Sequence, residues 1–207
     1  MNKPLSVMQQ VRACIEEQPL GKPFTPAMLL AYGSRAAVDQ VLSRLRKTGF
    51  IERIGRGIYV RPEISRFVGK VMPEAAQLAQ VMAEQTGAVI AVHGAEAARR
   101  LGLTTQMPTQ SVFMTSGPSR SMHIGNLQIR LKHVSQRKLA LAGRPAGLAL
   151  SALWYLGPHE VVPETIAALQ KRLPEKEFMK LNQSRSSMPA WMSDMFSRYE
   201  QAGSLNA

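Results

Sequence analysis

The stretch from Gly33 to Pro62, GSRAAVDQVLSRLRKTGFIERIGRGIYVRP, leaves the fewest folding choices open. Val38, Val41, Leu42 and Leu45 fall at i, i+3, i+4 and i+7, the spacing of one buried helix stripe, and Ser34 stands where an N-cap is expected. Gly49 follows as the C-terminal stop. Phe50 to Ile54 and Ile58 to Arg61 are rich in β-branched and aromatic residues and flank Gly55-Arg56-Gly57. They read as two strands reversing across a glycine turn, with Pro62 closing the hairpin.

Two further helices precede this stretch. From Ser6 to Gln18 the apolar Val7, Val11, Cys14 and Ile15 share one face, and Pro19, Gly21 and Pro23 stop the run. A short second helix then starts at Pro26 behind a Thr25 N-cap, carries Met28, Leu29 and Leu30, and ends at Gly33. Three helices and a β-hairpin in this order within about 60 residues describe a winged helix-turn-helix, whose last helix enters a DNA major groove.

Downstream, 63–73 reads as a connector in which Ile64, Phe67 and Val68 are expected to pack. Glu74 to Gln85 is helical by pattern, AVIAVHG from Ala88 is a buried strand, and Ala95 to Leu101 is a short helix. Ser111 to Thr115 and Leu127 to Val134 are strands around the loop SGPSRSMHIGN, and from Leu148 onward the chain is helical. The expected fold class is α+β: an N-terminal winged helix-turn-helix at 1–65, followed by a mixed α/β domain with C-terminal helices at 72–207.

Charge supports a polyanionic partner. Lys and Arg number 26 against 14 Asp and Glu, and residues 1–70 alone hold 12 basic and 5 acidic residues, over half of the net +12. Lys47 and Arg46 at the helix end, with Arg53, Arg56 and Arg61 of the hairpin, are suited to phosphates. Arg35 or Arg44 can pair with guanine O6 and N7, and Gln40 with adenine N6 and N7. Arg56, a cation between two glycines at a hairpin tip, fits a wing in a minor groove, although Gly-Arg-Gly also simply makes a turn.

Other chemistries find little footing. No run approaches the roughly 18 apolar residues of a spanning helix, and no basic segment followed by an apolar stretch opens the chain, so a cytoplasmic protein with no membrane association is expected. Cys14 is the single cysteine, which excludes an intrachain disulfide and a cysteine metal cluster; it belongs with core positions. His93 is the candidate general acid or base, without a carboxylate placed beside it, and His123, His133 and His159 lack metal-ligand spacing. The Ser116–Arg120 loop lacks the P-loop pattern and reads as a hairpin connection. Gly33-Ser34 is not followed by the paired carboxylates that metal-dependent nucleotidyl transfer needs, Asp39 being alone. No enzymatic activity, cofactor or metal is expected. Trp154, Tyr155, Trp191, Met192, Met195, Phe196 and Tyr199 recur at helical spacings, as a core stripe or as a Met-rich surface for a partner.

The segment GSRAAVDQVLSRLRKTGFIERIGRGIYVRP resembles the N-terminal winged helix of AbiEi-like antitoxins of type IV toxin–antitoxin systems, and AVHGAEAARRLGL with SVFMTSG resembles the start of their second domain. The likeness spans roughly residues 5–160 and is weakest in the terminal helices. It implies a double-stranded-DNA-binding transcriptional repressor acting on its own operon, with a C-terminal domain opposing a cognate nucleotidyltransferase-like toxin. On this chain the implied DNA contacts are Ser34, Arg35, Gln40, Arg44, Lys47, Arg53 and Arg56. An interaction module that neutralises a toxin, with the winged helix as scaffold only, is the alternative.

Overall fold

The computed structural model describes residues 5–67, 69–125 and 127–204 and is a mixed α+β structure. It divides into two compact units: 1–87 with 122–129, and 88–121 with 130–207.

In the first unit, α1 (Val7–Glu16) opens with a capping box. The Ser6 hydroxyl accepts from the Gln9 N–H, and the Gln9 side chain accepts from the Ser6 N–H, so two otherwise orphaned donors are satisfied. β1 (Pro23–Phe24) leads into a 3-10 helix at Pro26–Tyr32, then α2 (Arg35–Lys47), β2 (Glu52–Gly55) and β3 (Ile58–Val60). The end of α2 is a Schellman motif. Gly49, at φ +74°, lets its own N–H reach Arg46 O and the Phe50 N–H reach Leu45 O, a conformation that strains any residue with a Cβ.

β1, β3 and β2 form an antiparallel sheet in that order, with Phe24 opposite Tyr59 and Arg53 opposite the same residue from the other side. The β1 strand was not expected, because Pro23 reads as a helix stop; proline lacks an N–H and sits here on an edge strand, where none is needed. Val11, Ile15, Phe24, Leu29, Val38, Val41, Leu42, Leu45 and Ile51 make the core. The second helix is a 3-10 helix and buries only Leu29 of its three large apolar side chains: Met28 and Leu30 are exposed. Cys14 is half-buried against this core.

The expected connector is a second hairpin, β4 (Glu63–Ser65) and β5 (Gly69–Val71), followed by α3 (Ala75–Glu84). Its strands are three residues each, too short to register as alternation. Ile64 and Phe67 do not pack as the sequence suggests: they are 79% and 96% exposed, since a two-stranded ribbon has no inner face. Val68 lies outside the described residues.

In the second unit, β6 (Ile90–Val92) precedes α4 (Gly94–Arg100). With β7 (Ser111–Thr115), β8 (Arg120–Ile124) and β9 (Leu127–His133), β6 forms a four-stranded sheet in the order β6-β7-β9-β8, of which residues 122–129 of β8 and β9 are counted with the first unit. β6 is half-buried rather than buried because it is an edge strand, and residues 120–124, expected as loop, pair as β8. Asn126, in the same expected loop, lies outside the described residues. β9 buries Ile129 and Leu131 and exposes Gln128, Arg130 and Lys132, as its alternation requires.

After a 3-10 turn at Gln136–Leu139, α5 (Pro145–Glu160), α6 (Pro163–Arg172), α7 (Glu175–Gln183) and α8 (Ala190–Ser204) complete the chain. Ala97, Ala98, Ala146, Ala149 and Ala152 lie in one core with Leu150, Leu153, Ile166, Leu169, Met192 and Phe196. The Met- and aromatic-rich tail is therefore core at Met192 and Phe196, and Trp191, Met195 and Tyr199 pack against it.

Glu177 of α7 ties this unit together. Its carboxylate accepts from Arg144 Nη2 at 2.7 Å and from the Ala146 N–H at 3.3 Å, and so acts as the missing cap of α5. The Arg144 hydrogen bond, reinforced by the Ala146 N–H and Lys180 and opposed by desolvation, lowers its pKa to about 2. A depressed carboxylate pKa stabilises the fold above the unfolded value of about 4.3 and loses that contribution as the pH falls towards 2. Glu177→Gln should therefore melt below wild type at neutral pH, with the gap closing between pH 5 and 2, as followed by circular dichroism melts.

Candidate nucleic-acid interface

The buried stripe of α2 fixes what the helix turns outward. At about 3.6 residues per turn, the line opposite Val38, Val41, Leu42 and Leu45 runs through Ala36, Gln40, Ser43 and Lys47. Arg35, Asp39 and Arg46 flank it on one side and Arg44 on the other. Ala36 and Ser43 are small, so the helix backbone can come close to a surface laid against this face, with the Gln40 amide near its centre.

The eight residues read from the sequence differ in what they are free to do. Ser34 is the N-cap of α2, its hydroxyl accepting from the Ala37 N–H at 3.3 Å. Arg35 is held by Asp39 one turn on, Nε to Oδ2 at 2.9 Å, an exposed pair of small energetic weight that still occupies the guanidinium. Gln40, Arg44 and Lys47 are exposed, and neither cation forms an ion pair among the described residues. Arg46, beside them, is exposed and equally unpaired, which leaves three cations in the last turn of α2, where they also complement the helix dipole.

Arg53 and Arg56 are exposed on the β2–β3 hairpin. Arg53 Nε donates to the Gly55 carbonyl at 3.2 Å, bracing the turn. Gly57, at φ +69°, supplies the left-handed step that lets the two-residue turn Arg56-Gly57 close, and the Gln85 side chain donates to its carbonyl at 3.2 Å. The tip is thus anchored while Arg56 itself points to solvent.

Arg61 has a different role from the phosphate contact expected of it. Its Nη1 donates to Glu16 O at 2.7 Å and Ile15 O at 3.3 Å, satisfying the last carbonyls of α1. The chain returns the tie, the Gly21 N–H donating to Arg61 O at 2.9 Å. No local sequence signal marks this link, which joins positions 45 residues apart.

His93 is the N-cap of α4: its Nδ1 accepts from the Ala95 N–H at 3.4 Å, and its ring meets the edge of Tyr155 at 6.1 Å. Burial, and then the charge of Lys132, push its pKa below the ordinary histidine value. No carboxylate lines the cavity beside it. Among the described residues, no three His, Cys, Asp or Glu side chains gather as a metal site, and no helix is long and apolar enough to cross a membrane.

A family model, described as a family of unknown function (DUF6088), matches residues 10–181. The chain belongs to DUF6088. The match takes in α2, the β2–β3 hairpin and most of the second unit of this DUF6088 member, so the exposed cations of α2 lie within the family's span. No curated protein matches the chain. Among solved structures, the crystal structure of the RV2827C protein from Mycobacterium tuberculosis is similar at a TM-score of 0.41 and 15% identity, covering 89% of this chain and 73% of that one.

The division of labour among the arginines is measurable. Arg61→Ala should destabilise the protein by about 1–2 kcal/mol, since it removes charge-assisted bonds to two helix-end carbonyls. Arg44→Ala, at an exposed and unpaired site, should stay within about 0.5 kcal/mol of wild type in the same urea titration.

Proposed function

We propose that the first unit is a winged helix-turn-helix that binds double-stranded DNA in a sequence-specific way, with α2 in the major groove and the β2–β3 hairpin as the wing. The observation that carries this reading is the set of cations with no acidic partner among the described residues: Arg44, Arg46 and Lys47 on α2, with Arg53 and Arg56 on the hairpin. Arg12 and Lys70 of the same unit pair with Glu16 and Glu52, and Arg35 of α2 pairs with Asp39. Clustered unpaired cations on one helix end and the hairpin that follows it suit a phosphate backbone.

In this reading Gln40 is the foremost base reader and Arg44 the second, while Arg35 can read guanine only by releasing Asp39. Ser34 and Arg61 hold the shape of the interface. The biological role we assign is that of an autoregulating transcriptional repressor, the antitoxin of a toxin–antitoxin pair, on the strength of the AbiEi-like resemblance of the helix–hairpin segment. The second unit would then meet a nucleotidyltransferase-like toxin.

Fluorescence anisotropy on the DNA upstream of the gene tests this directly. With Arg44 on a base, the four cations left for phosphates, Arg46, Lys47, Arg53 and Arg56, give a log K against log salt slope of about −3.6, at about 0.9 per neutralised phosphate, and Arg44→Ala with Arg56→Ala should flatten it by about 1. Gln40→Ala should cost about 1–3 kcal/mol on the specific duplex and little on an unrelated one. Equal affinity of wild type and the double variant for the upstream duplex would overturn the DNA-binding reading. The double variant should still suppress a neighbouring toxin in full-length form, since its changes leave the second unit untouched.

A further inference from the structure

The second unit contains a cavity of about 230 Å³ that the DNA-binding reading does not use. Its walls come from five places in the chain. His93 stands at the start of α4, Lys132 on β9, and Lys138 in the 3-10 turn before α5. Ser151, Trp154 and Tyr155, at i, i+3 and i+4, present one face of α5, and Met114 of β7 also lines the cavity.

The polar groups here are of one kind. Neither lysine forms an ion pair among the described residues, and no Asp or Glu lines the cavity; the nearest acid on α4, Glu96, is bound by Arg99 and Arg100. Because His93 Nδ1 accepts the Ala95 N–H, the neutral ring carries its proton on Nε2, making it a donor. The Trp154 indole N–H is removed from the accessible surface and has no acceptor among the described residues, so the indole meets the cavity with its carbon framework. Lys138 lies 4.7 Å from the centroid of the same indole ring, so charge and flat apolar surface sit side by side.

We propose that this cavity binds a small organic oxyanion with a planar body, the oxyanion meeting Lys132 and Lys138, and the body lying against the rings of Trp154 and Tyr155. The volume falls below the roughly 300–1,000 Å³ of drug-sized sites, which restricts the ligand to something near a single substituted ring. A cationic ligand is disfavoured by both lysines. This site is separate from the DNA-binding reading, and its occupancy is measured without DNA.

The test uses the full chain, with benzoate, inorganic phosphate and benzylamine as probes at constant ionic strength. The chain has two tryptophans, Trp154 and Trp191, so a proton–nitrogen correlation spectrum carries two indole signals, assigned by the loss of one in Trp154→Phe. Benzoate should shift the Trp154 signal saturably in the millimolar range and raise Tm, phosphate should do so more weakly, and benzylamine should do neither. Lys132→Gln with Lys138→Gln should weaken benzoate about tenfold or more. If the double variant unfolds, each single change should give part of that loss.

Benzoate binding that is unchanged in the lysine variants overturns the assignment. So does a shift at Trp191 alone, or the absence of a saturable shift. Phosphate binding as tightly as benzoate overturns the planar body.

Discussion

Burial of one stripe on α2 governs the first unit. Val38, Val41, Leu42 and Leu45 are all nearly or fully removed from water, each worth about 1.5–3 kcal/mol in apolar transfer, and they meet Val11 and Ile15 of α1, Leu29 of the 3-10 helix, and Phe24 and Ile51. The rotation of α2 is therefore not adjustable. Once those four side chains face inward, Ala36, Gln40, Ser43 and Lys47 face outward, and the surface offered to a partner follows from the packing beneath it.

The second unit solves its packing differently. Where α4 meets α5 the core is built largely from alanine, at Ala97, Ala98, Ala146, Ala149 and Ala152, so two helices can approach closely without large side chains between them. Leu150 and Leu153 of α5 are buried beside those alanines, and the next residues along the helix, Trp154 and Tyr155, line the cavity. Glu177 supplies what small side chains cannot, a charged clasp across the start of α5.

What the sequence reveals depends on how local the determinant is. α1, α2 and the β2–β3 hairpin are legible because their period, caps and glycine turns lie within a few residues of one another. β1 is hidden by its two-residue length and its proline, and β4–β5 by strands of three residues. The outward face of α2 could be read from periodicity, and so could the Arg35–Asp39 pair, since four residues apart is one helical turn. Arg61 could not, because its partners are carbonyls of α1, and carbonyls leave no mark in a sequence. The cavity beside His93 is equally opaque, being assembled from segments spread over some 60 residues.

The separation between Arg61 and the exposed cations bears on how such a surface can change. The residues that hold the first unit together, Arg61, Ser34 and the α2 stripe, are distinct from Gln40, Arg44, Arg46, Lys47 and Arg56, whose side chains carry no structural bond among the described residues. Substitution at the second set leaves the first undisturbed. The outer face of α2 can thus be rewritten one side chain at a time, and its preferences can drift while the scaffold that presents it stays the same.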